Sequence, residues 1–522
     1  MKIKNYKGGQ LMFCKVMAGG IHGITSFLAQ VEVDATQAMP GFDMVGMLGS
    51  EVREAKERVR VALKNSGFQL PPRRITVNIS PADIRKEGSA YDLPIAIGIL
   101  VSMEKLEESV LEDTLFIGEL GLDGEIKPVK GILPIMMMAK EQGIKRCILP
   151  KENALEGAAI SGVKIVGVSS FLETLGYLAE DKERADEMIP PTVLNITALF
   201  EEKEGEKIPD FADIKGQEMV KRAAVIAAAG FHHLLVTGTP GAGKTMIAKR
   251  IPSILPPLSI EESLEVSKIY SVSGLLKEGR PLITKRPFLH PHHTISRQAL
   301  AGGGRIPRPG ILSLSHRGIL FLDELPEFGR ENIEVLRQPL EDKEVQIARN
   351  YGSVTYPADI MLVAAMNPCP CGFYPDRERC KCTDTEIRKY RSRISGPIYD
   401  RIDICVEAKA VELRQLQQES AGQSSRDLKE QIMKARRIQE VRYKNSPYFF
   451  NADLETKDIG KYCPLGEEEQ KFMEQVFYAL NLSARTYHRT LKVARTIADL
   501  ADSEEIKKEH LTEAVCYRGF EV

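Results

Sequence analysis

The chain has 522 residues, of which 43% are hydrophobic and 27% are charged, and its formal net charge is −1. This length exceeds what one hydrophobic core supports and predicts about three domains, while the near-neutral charge gives no global sign of nucleic-acid binding, although a local basic patch is not excluded. No apolar stretch approaches the roughly 20 residues that cross a bilayer, and no secretory signal is evident, so we expect a cytoplasmic protein without a membrane partner.

Short β-rich runs and helical patterns alternate through residues 1–177. Hydrophobic periodicity predicts strands at 75–79, 146–149 and 164–168 and helices at 51–66 and 132–142. This alternation is typical of a compact α/β domain. Residues 178–207 then carry two acidic clusters and the pair Pro190-Pro191, which predict a solvated linker.

The next region, residues 208–408, contains a phosphate-binding motif. An apolar run at 234–236, predicted to be a strand, leads into the pattern G-x-x-x-x-G-K-[ST], and a predicted helix follows. The glycines let backbone N–H groups face phosphates, the lysine reaches the β- and γ-phosphates, and the threonine hydroxyl binds Mg²⁺. We therefore predict an ATP and Mg²⁺ site at Gly238, Thr239, Pro240, Gly241, Ala242, Gly243, Lys244 and Thr245.

A histidine-rich insertion follows, between about residues 274 and 310. His290, His292 and His293 suggest a metal site, but no nearby acid or cysteine completes a ligand set. The sequence therefore favours a mobile loop at a pore or an interface.

An acidic pair ends a second predicted buried strand, residues 318–322. Hydrolysis of ATP needs an acid that holds Mg²⁺ and a base that orients the attacking water. We assign Asp323 to the metal and Glu324 to the water. The alternative is that the pair caps the helix that begins near Pro326.

A third apolar run, residues 360–366, ends at Asn367. The amide of Asn367 is placed to contact the γ-phosphate and to position the water, but an asparagine before Pro368 is equally typical of a turn. Between the acidic pair and Asn367, residues 344–349 and 352–356 predict a β-hairpin.

Four of the nine cysteines lie directly after Asn367, as two C-x-C pairs separated by eight residues. Four thiolates in so short a segment can close a tetrahedral zinc site, but the C-x-C spacing is tight for chelation of one ion. Disulfides do not suit the expected compartment, so structural zinc and plain reduced thiols are the two interpretations of Cys369, Cys371, Cys380 and Cys382.

Residues 409–522 begin with a polar connection at 415–425 and continue in long helical patterns. These patterns predict an all-α carboxyl-terminal domain.

These motifs resemble the AAA+ ATPases of the magnesium-chelatase and MCM branch, and more specifically the bacterial ComM/YifB family. The resemblance covers nearly the whole chain and implies an AAA+ P-loop α/β core followed by an all-α lid. It rests on the order of the motifs above and on segments 213–217, 290–296, 308–310, 321–328, 337–342, 396–403 and 483–485.

The resemblance implies an ATP-hydrolysing ring, usually a hexamer, with ATP held between neighbouring subunits. Lys244, Glu324 and Asn367 then take catalytic roles. Arg401 matches the arginine finger that stabilises γ-phosphate charge in the next subunit's site, and Arg485 matches the sensor arginine of the lid. Without the family order, a surface or ion-paired arginine is the simpler interpretation of each.

The resemblance also implies that DNA, single-stranded or branched, is the substrate, because ComM-like members resemble helicases that drive branch migration during uptake of transforming DNA. Arg349 near the hairpin tip, with Arg305 and Arg308 in the insertion, are then candidate phosphate contacts. Two alternatives remain open: a chelatase-type motor that remodels a protein partner, and a nucleotide-gated scaffold without turnover.

Residues 86–90, 124–131 and 144–150 resemble the proteolytic domain of Lon, which leaves an ATP-dependent peptidase as a further alternative. Ser89 lies near the position of the family's nucleophile, but Leu133 stands at about the position of its lysine, and Lys130 is three residues away. A serine without a base is a poor nucleophile. We therefore expect residues 1–177 to keep a Lon-protease-like fold and to have lost the protease chemistry.

Overall fold

The computed structural model describes residues 13–201, 209–304, 306–349, 352–410 and 422–518, apart from the side chain of Arg349. The strands are β1 Cys14–His22, β2 Thr25–Thr36, β3 Gly41–Val45, β4 Arg74–Ser80, β5 Thr114–Phe116, β6 Glu119–Leu120, β7 Ile126–Lys127, β8 Arg146–Pro150, β9 Lys164–Val168, β10 Leu234–Gly238, β11 Phe288–Leu289, β12 Gly302–Gly303, β13 Arg308–Pro309, β14 Ile319–Leu322, β15 Glu344–Arg349, β16 Gly352–Pro357, β17 Met361–Met366 and β18 Ile404–Ala408.

The α-helices are α1 Ser50–Asn65, α2 Asp92–Ser102, α3 Ile132–Glu141, α4 Ala154–Ala158, α5 Phe171–Ala179, α6 Lys182–Met188, α7 Ile196–Glu201, α8 Glu218–Gly230, α9 Lys244–Ala248, α10 Ile251–Ile254, α11 Ile260–Ser273, α12 Arg297–Ala301, α13 Ile311–Leu314, α14 Arg330–Val335, α15 Pro339–Asp342, α16 Asp384–Arg391, α17 Gly396–Tyr399, α18 Ser425–Arg442, α19 Ile459–Tyr462, α20 Glu467–Ala479, α21 Ala484–Leu500 and α22 Lys508–Cys516. Among the described residues, no helix combines the length and apolar character that a membrane crossing requires.

The chain divides into two compact units, and each contains segments that are distant in sequence. The first unit comprises residues 1–202, 260–284 and 348–356, and the second comprises residues 203–259, 285–347 and 357–522. Helix α11 and the outer part of the β15–β16 hairpin therefore belong to the first unit, although they interrupt the sequence of the second. The domains expected from sequence were contiguous, so they did not place α11 and the outer part of the hairpin in the first unit.

A mixed seven-stranded sheet forms the first unit, in the order β3-β4-β2-β1-β5-β8-β9. Strands β1, β2 and β4 pair antiparallel, whereas β5, β8 and β9 pair parallel. Helix α2 is buried along its whole length because nearly all of its residues are apolar. This sheet and its helices confirm the α/β class predicted for the amino-terminal region.

The stretch predicted as a solvated linker, residues 178–207, is folded where it is described. Helices α6 and α7 lie in it, and Ala185 and Ile189 are buried in the core of the first unit. These two residues are four positions apart and so lie on one side of the chain, while the acidic residues occupy the other sides. The prediction of a linker was therefore wrong for 178–201, and residues 202–207 lie outside the described part.

A five-stranded parallel sheet forms the centre of the second unit, in the order β11-β14-β17-β10-β18. Leu322 of β14 lies opposite Ala364 of β17, and Met366 of β17 lies opposite Thr237 of β10. The carboxyl ends of these three strands therefore meet at one edge, which is where ligands bind in open parallel sheets.

Helices α18 to α22 confirm the predicted all-α region, and Asp403 ties it to the sheet. Asp403 accepts hydrogen bonds from Arg489 of α21 at 2.6 Å and from the backbone N–H of His233 at 2.9 Å. Burial alone would raise the pKa of this carboxyl, but Arg489 and two histidines hold it well below its usual range.

We expect Asp403→Asn to lower the free energy of unfolding of the second unit by about 3 kcal/mol at pH 7, because it removes the buried anionic partner of Arg489, whose side chain is 16% exposed. Since the folded-state pKa of Asp403 is depressed, its contribution is present above the ordinary aspartate pKa of about 4 and is lost as pH falls towards the folded-state pKa.

Urea unfolding followed from pH 7 to pH 3 measures this difference, with the exposed Asp502→Asn as the control. The difference in free energy of unfolding between Asp403→Asn and the unsubstituted protein should become smaller as the pH falls. A difference in free energy of unfolding that stays constant or grows would contradict the depressed pKa of Asp403.

Candidate nucleotide site

The phosphate loop follows β10 at the sheet edge where β14 and β17 also end. Gly241 and Gly243 have φ angles of +80° and +85°, in the left-handed region that other residues disfavour. The backbone turns at these two glycines before α9 begins at Lys244. The loop therefore has the conformation that its sequence motif requires.

Lys244 meets the predicted sensor at this edge. Its Nζ donates to Oδ1 of Asn367 at 3.0 Å and to the carbonyl oxygens of Gly238 and Thr239 at 2.7 and 3.0 Å. Burial lowers the pKa of Lys244, while the carboxylates of Asp323 and Glu324 oppose that shift. The nearby acids thus favour the cationic form that binds phosphate.

Thr245 and Asp323 form the part of the site suited to a metal. Thr245 Oγ1 donates to Asp323 Oδ2 at 2.6 Å, although the two residues are 78 positions apart in sequence. Hydroxyl and carboxylate oxygens are hard ligands of the kind that Mg²⁺ prefers. The donor set fits the Mg²⁺ assignment made from sequence.

Glu324 has a left-handed φ of +54°, which is a strained conformation of the kind found at functional sites. Its backbone N–H donates to Asp323 Oδ1 at 3.0 Å. Its side chain is 56% exposed, and its Oε2 lies 4.0 Å from Nδ1 of His293. The carboxylate is therefore open to the solvent from which an attacking water comes.

The histidine-rich insertion lies beside the acidic pair, a contact that the sequence did not predict. His293 faces Glu324, and the ring of His290 packs 4.6 Å from that of Phe321. Burial lowers the pKa of His290, while Asp323 opposes that shift. Strand order is the feature of the sequence that could have predicted this contact. Strand β11 ends directly before His290, and it pairs with β14, which the acidic pair follows.

Gln217 is a second residue whose contact was missed. It has a φ of +62°, and its Nε2 donates to the carbonyl oxygen of Ala242 at 3.0 Å and to that of Lys409. Gln217 therefore holds the phosphate loop to the chain that follows β18. Its only signal in the sequence was its place in segment 213–217, which contributed to the family resemblance.

Arg401 and Arg485 share one carboxylate. Both guanidinium groups donate to Glu341, that of Arg485 at 2.6 Å, and Arg401 also donates to the carbonyl oxygen of Pro397 at 2.6 Å. Arg401 is only 2% exposed, and burial together with Arg485 and Arg337 lowers its pKa to about 10. The two arginines predicted from the family order thus form one cluster.

The candidate DNA contacts are described only in part. Strands β15 and β16 confirm the predicted hairpin, but Arg305 and the side chain of Arg349 lie outside the described residues. Arg308 is exposed in β13, which pairs with β12.

The four clustered cysteines converge in space. The Sγ atom of Cys369 lies 3.4 and 3.7 Å from those of Cys371 and Cys380, and the latter two are 3.6 Å apart. All four sulfur atoms, including that of Cys382, lie within 4.8 Å of one another. Tetrahedral zinc with Zn–S distances of about 2.3 Å places its sulfur ligands about 3.8 Å apart. The cluster therefore fits a metal ion despite its tight sequence spacing.

The Lon-like region places no described lysine on Ser89, whose hydroxyl donates instead to the carboxylate of Glu119. Leu133, at the family's lysine position, is buried, and its backbone N–H donates to Glu156 at 3.0 Å. Glu156 also accepts a hydrogen bond from Ser271 of α11 at 2.5 Å. Leu133, which occupies the position of the family's lysine, is therefore packed inside the first unit.

Comparison with known proteins matches three segments of the chain to magnesium-chelatase families. The family described as magnesium chelatase, subunit ChlI, matches residues 210–416. The family described as subunit ChlI of Mg-chelatase matches residues 31–153, and the one described as magnesium chelatase, subunit ChlI C-terminal, matches residues 422–518. The competence protein ComM of Haemophilus influenzae is 40% identical over 502 residues, which cover 95% of this chain and 96% of that protein. The chain belongs to the ComM/YifB family of magnesium-chelatase-like AAA+ proteins.

Other similarities agree with this family. YifB of Escherichia coli is 40% identical over 503 residues and 96% of each chain. Lon protease 2 of Bacillus subtilis is 27% identical over 162 residues, which make up 28% of this chain. ComM/YifB membership confirms the predicted fold classes and supports ATPase activity with ATP and Mg²⁺ as cofactors.

We expect His293→Ala to lower kcat for ATP hydrolysis by about tenfold, less than the 10²–10⁴ of a general base itself, because it removes the imidazole that lies 4.0 Å from the Glu324 carboxylate. Affinity for ATP should change little, since His293 lies beside the acid and not the phosphate loop.

Steady-state hydrolysis measures kcat, and nucleotide titration measures the affinity for ATP. His22→Ala is the control, because His22 is an exposed histidine of strand β1 in the first unit. Equal losses in the two variants would show that the contact with Glu324 has no specific role.

Proposed function

We propose that this chain is an ATP-hydrolysing cytoplasmic ring motor that moves DNA strands, by helicase or branch-migration action in recombination or natural transformation. One observation carries the ATPase part: Lys244 contacts Asn367 beside the Thr245–Asp323 pair. A phosphate-binding lysine, a metal-binding acid and a polar sensor at one sheet edge are the parts that ATP hydrolysis requires.

The proposal of DNA as substrate has a separate basis. The ComM relative bears the name of a competence protein and matches along nearly the whole chain, and competence is the uptake of DNA. Arg308 is an exposed cation in the insertion, and Arg305 and Arg349 are further candidates from the sequence. Backbone phosphates are the groups that such arginines bind.

We assign Arg401 and Arg485 to the nucleotide of a neighbouring subunit, which makes the hexameric ring the functional form. The two cations converge on one carboxylate, and the Nε of Arg401 is buried without a hydrogen-bond partner among the described residues. An arriving γ-phosphate supplies the additional acceptor that such a cluster lacks.

ATP hydrolysis measured with and without forked or four-way DNA at low salt tests this function. We expect DNA to raise the rate and the rate per chain to rise with protein concentration as rings assemble. Glu324→Gln is the catalytic control, which should keep ATP binding while hydrolysis falls by about two decades or more.

Each alternative predicts a different result. Absence of both DNA binding and stimulation at low salt, where phosphate contacts are strongest, would contradict the DNA proposal and favour a chelatase-type motor acting on a protein partner. Casein cleavage that Ser89→Ala abolishes would favour the Lon-like peptidase. Absence of ATP turnover under all conditions would favour a scaffold.

We further propose that Cys369, Cys371, Cys380 and Cys382 bind one structural Zn²⁺. The sulfur separations carry this assignment, because they match those around a tetrahedral ion.

Elemental analysis of protein purified without chelator should give about one zinc per chain. The double variant Cys380→Ser, Cys382→Ser should lose the metal, whereas Cys516→Ser, an exposed cysteine outside the cluster, should keep it. Less than about half a zinc per chain after reconstitution would contradict the site.

A further inference from the structure

The cysteine cluster continues directly from the strand that carries the sensor. Strand β17 ends at Met366, Asn367 follows it, and Cys369 is two residues further. Cys369 is fully buried in the cluster, and its Sγ accepts a hydrogen bond from the backbone N–H of Tyr374 at 3.4 Å. Asn367 is therefore held by the sheet on one side and by the cysteine cluster on the other.

Gly372, between the two cysteine pairs, packs on the phosphate loop. Its φ is +84°, and a methyl group at this position would lie 2.5 and 2.6 Å from Cδ and Cγ of Pro240, and 3.8 Å from Cγ of Asn367. The first two distances are far below van der Waals contact. The backbone of the cysteine loop therefore lies directly against the Pro240 ring, within the motif that binds phosphate.

Both the cysteines and polar contacts order this loop: the Cys380 N–H donates to the Asp376 carbonyl oxygen at 2.7 Å, and Arg377 pairs with Asp384 at 2.5 Å. Residues 369–382, all of them described, contain turns but no helix or strand. The cysteines pack mainly with one another and with Phe373, Tyr374 and Ile387, and Gly372 N–H closes a turn on the Cys369 carbonyl at 3.0 Å. The polar contacts of Asp376 and Arg377 lie in the outer part of the loop, whereas a metal bound to the four thiolates fixes its inner part, next to Gly372.

We infer that the metal-loaded cysteine loop positions Asn367 and the phosphate loop for hydrolysis, so that ATP turnover depends on the metal. The inference rests on the zinc site proposed above and adds a role for it in catalysis. Gly372 is the positioning residue, because it transmits the loop's conformation to Pro240. A metal that only stabilised the fold would instead change the melting temperature and leave the kinetics of the folded protein unchanged.

The first test is a double-mutant cycle between Gly372 and Pro240. Gly372→Ala should retain zinc and lower kcat about tenfold or more, because the added methyl group displaces the Pro240 ring. The loss should be smaller in a Pro240→Ala background, which lacks the two atoms that the methyl group meets. Gly67→Ala is the matched control for backbone strain, because Gly67 has a φ of +89° and no atom within 4 Å of the added methyl position.

The second test removes the metal from the intact protein. A zinc-selective chelator, with Mg²⁺ held constant, should lower kcat about tenfold or more while the affinity for ATP falls less, because Asn367 acts on the attacking water. Added Zn²⁺ should restore the rate. Circular dichroism during the chelation separates this effect from global unfolding.

The outcomes are distinct. Protein that never binds zinc contradicts the zinc site and this inference with it. Protein that binds and releases zinc while hydrolysis stays constant contradicts this inference alone. Equal losses for Gly372→Ala in the wild-type and Pro240→Ala backgrounds also overturn it, because the contact with Pro240 would then carry no coupling.

Discussion

The parallel register of β14, β17 and β10 is the constraint on which the nucleotide site depends. Neighbouring parallel strands end at the same edge, so Lys244 donates a hydrogen bond to Asn367 and Thr245 donates one to Asp323, although these partners are far apart in sequence. Strands β14 and β17 are buried along their whole lengths, and their apolar side chains fill the core on both faces. A shift in either strand would disrupt this packing and misplace a catalytic group.

Charge pairs hold the helical region to the second unit. Helix α21 carries both Arg489, which pairs with buried Asp403, and Arg485, which pairs with Glu341. Arg401 meets the same glutamate. Because Asp403 is buried, a movement of α21 that separated it from Arg489 would leave a desolvated charge, which is costly. The Asp403 pair therefore fixes the helix that carries Arg485.

Local periodicity predicted several of the strands and helices. Strand β9 was predicted with its observed bounds, helix α1 differs from prediction by one residue at each end, and the hairpin differs by one residue at one end, because alternation and 3.6-residue spacing are properties of the local chain. The acidic stretch around α6 was misjudged, since charges were visible in the sequence but the burial of Ala185 and Ile189 depends on the rest of the first unit. His293 was missed for the same reason, because its contact with Glu324 depends on the pairing of β11 with β14.

The sequence by itself determined the chemistry of the nucleotide site: the phosphate motif, the acidic pair, the asparagine and the four thiols are read from residue types and spacing, and their order identifies the family. Tertiary structure decided which of them meet. It placed Arg401 and Arg485 on one carboxylate, brought four sulfur atoms to metal-binding distances, and set Gly372 against Pro240. The cysteines lie within fourteen residues of one another and have a local pattern. The other contacts join segments distant in sequence, so they follow from sheet order and packing.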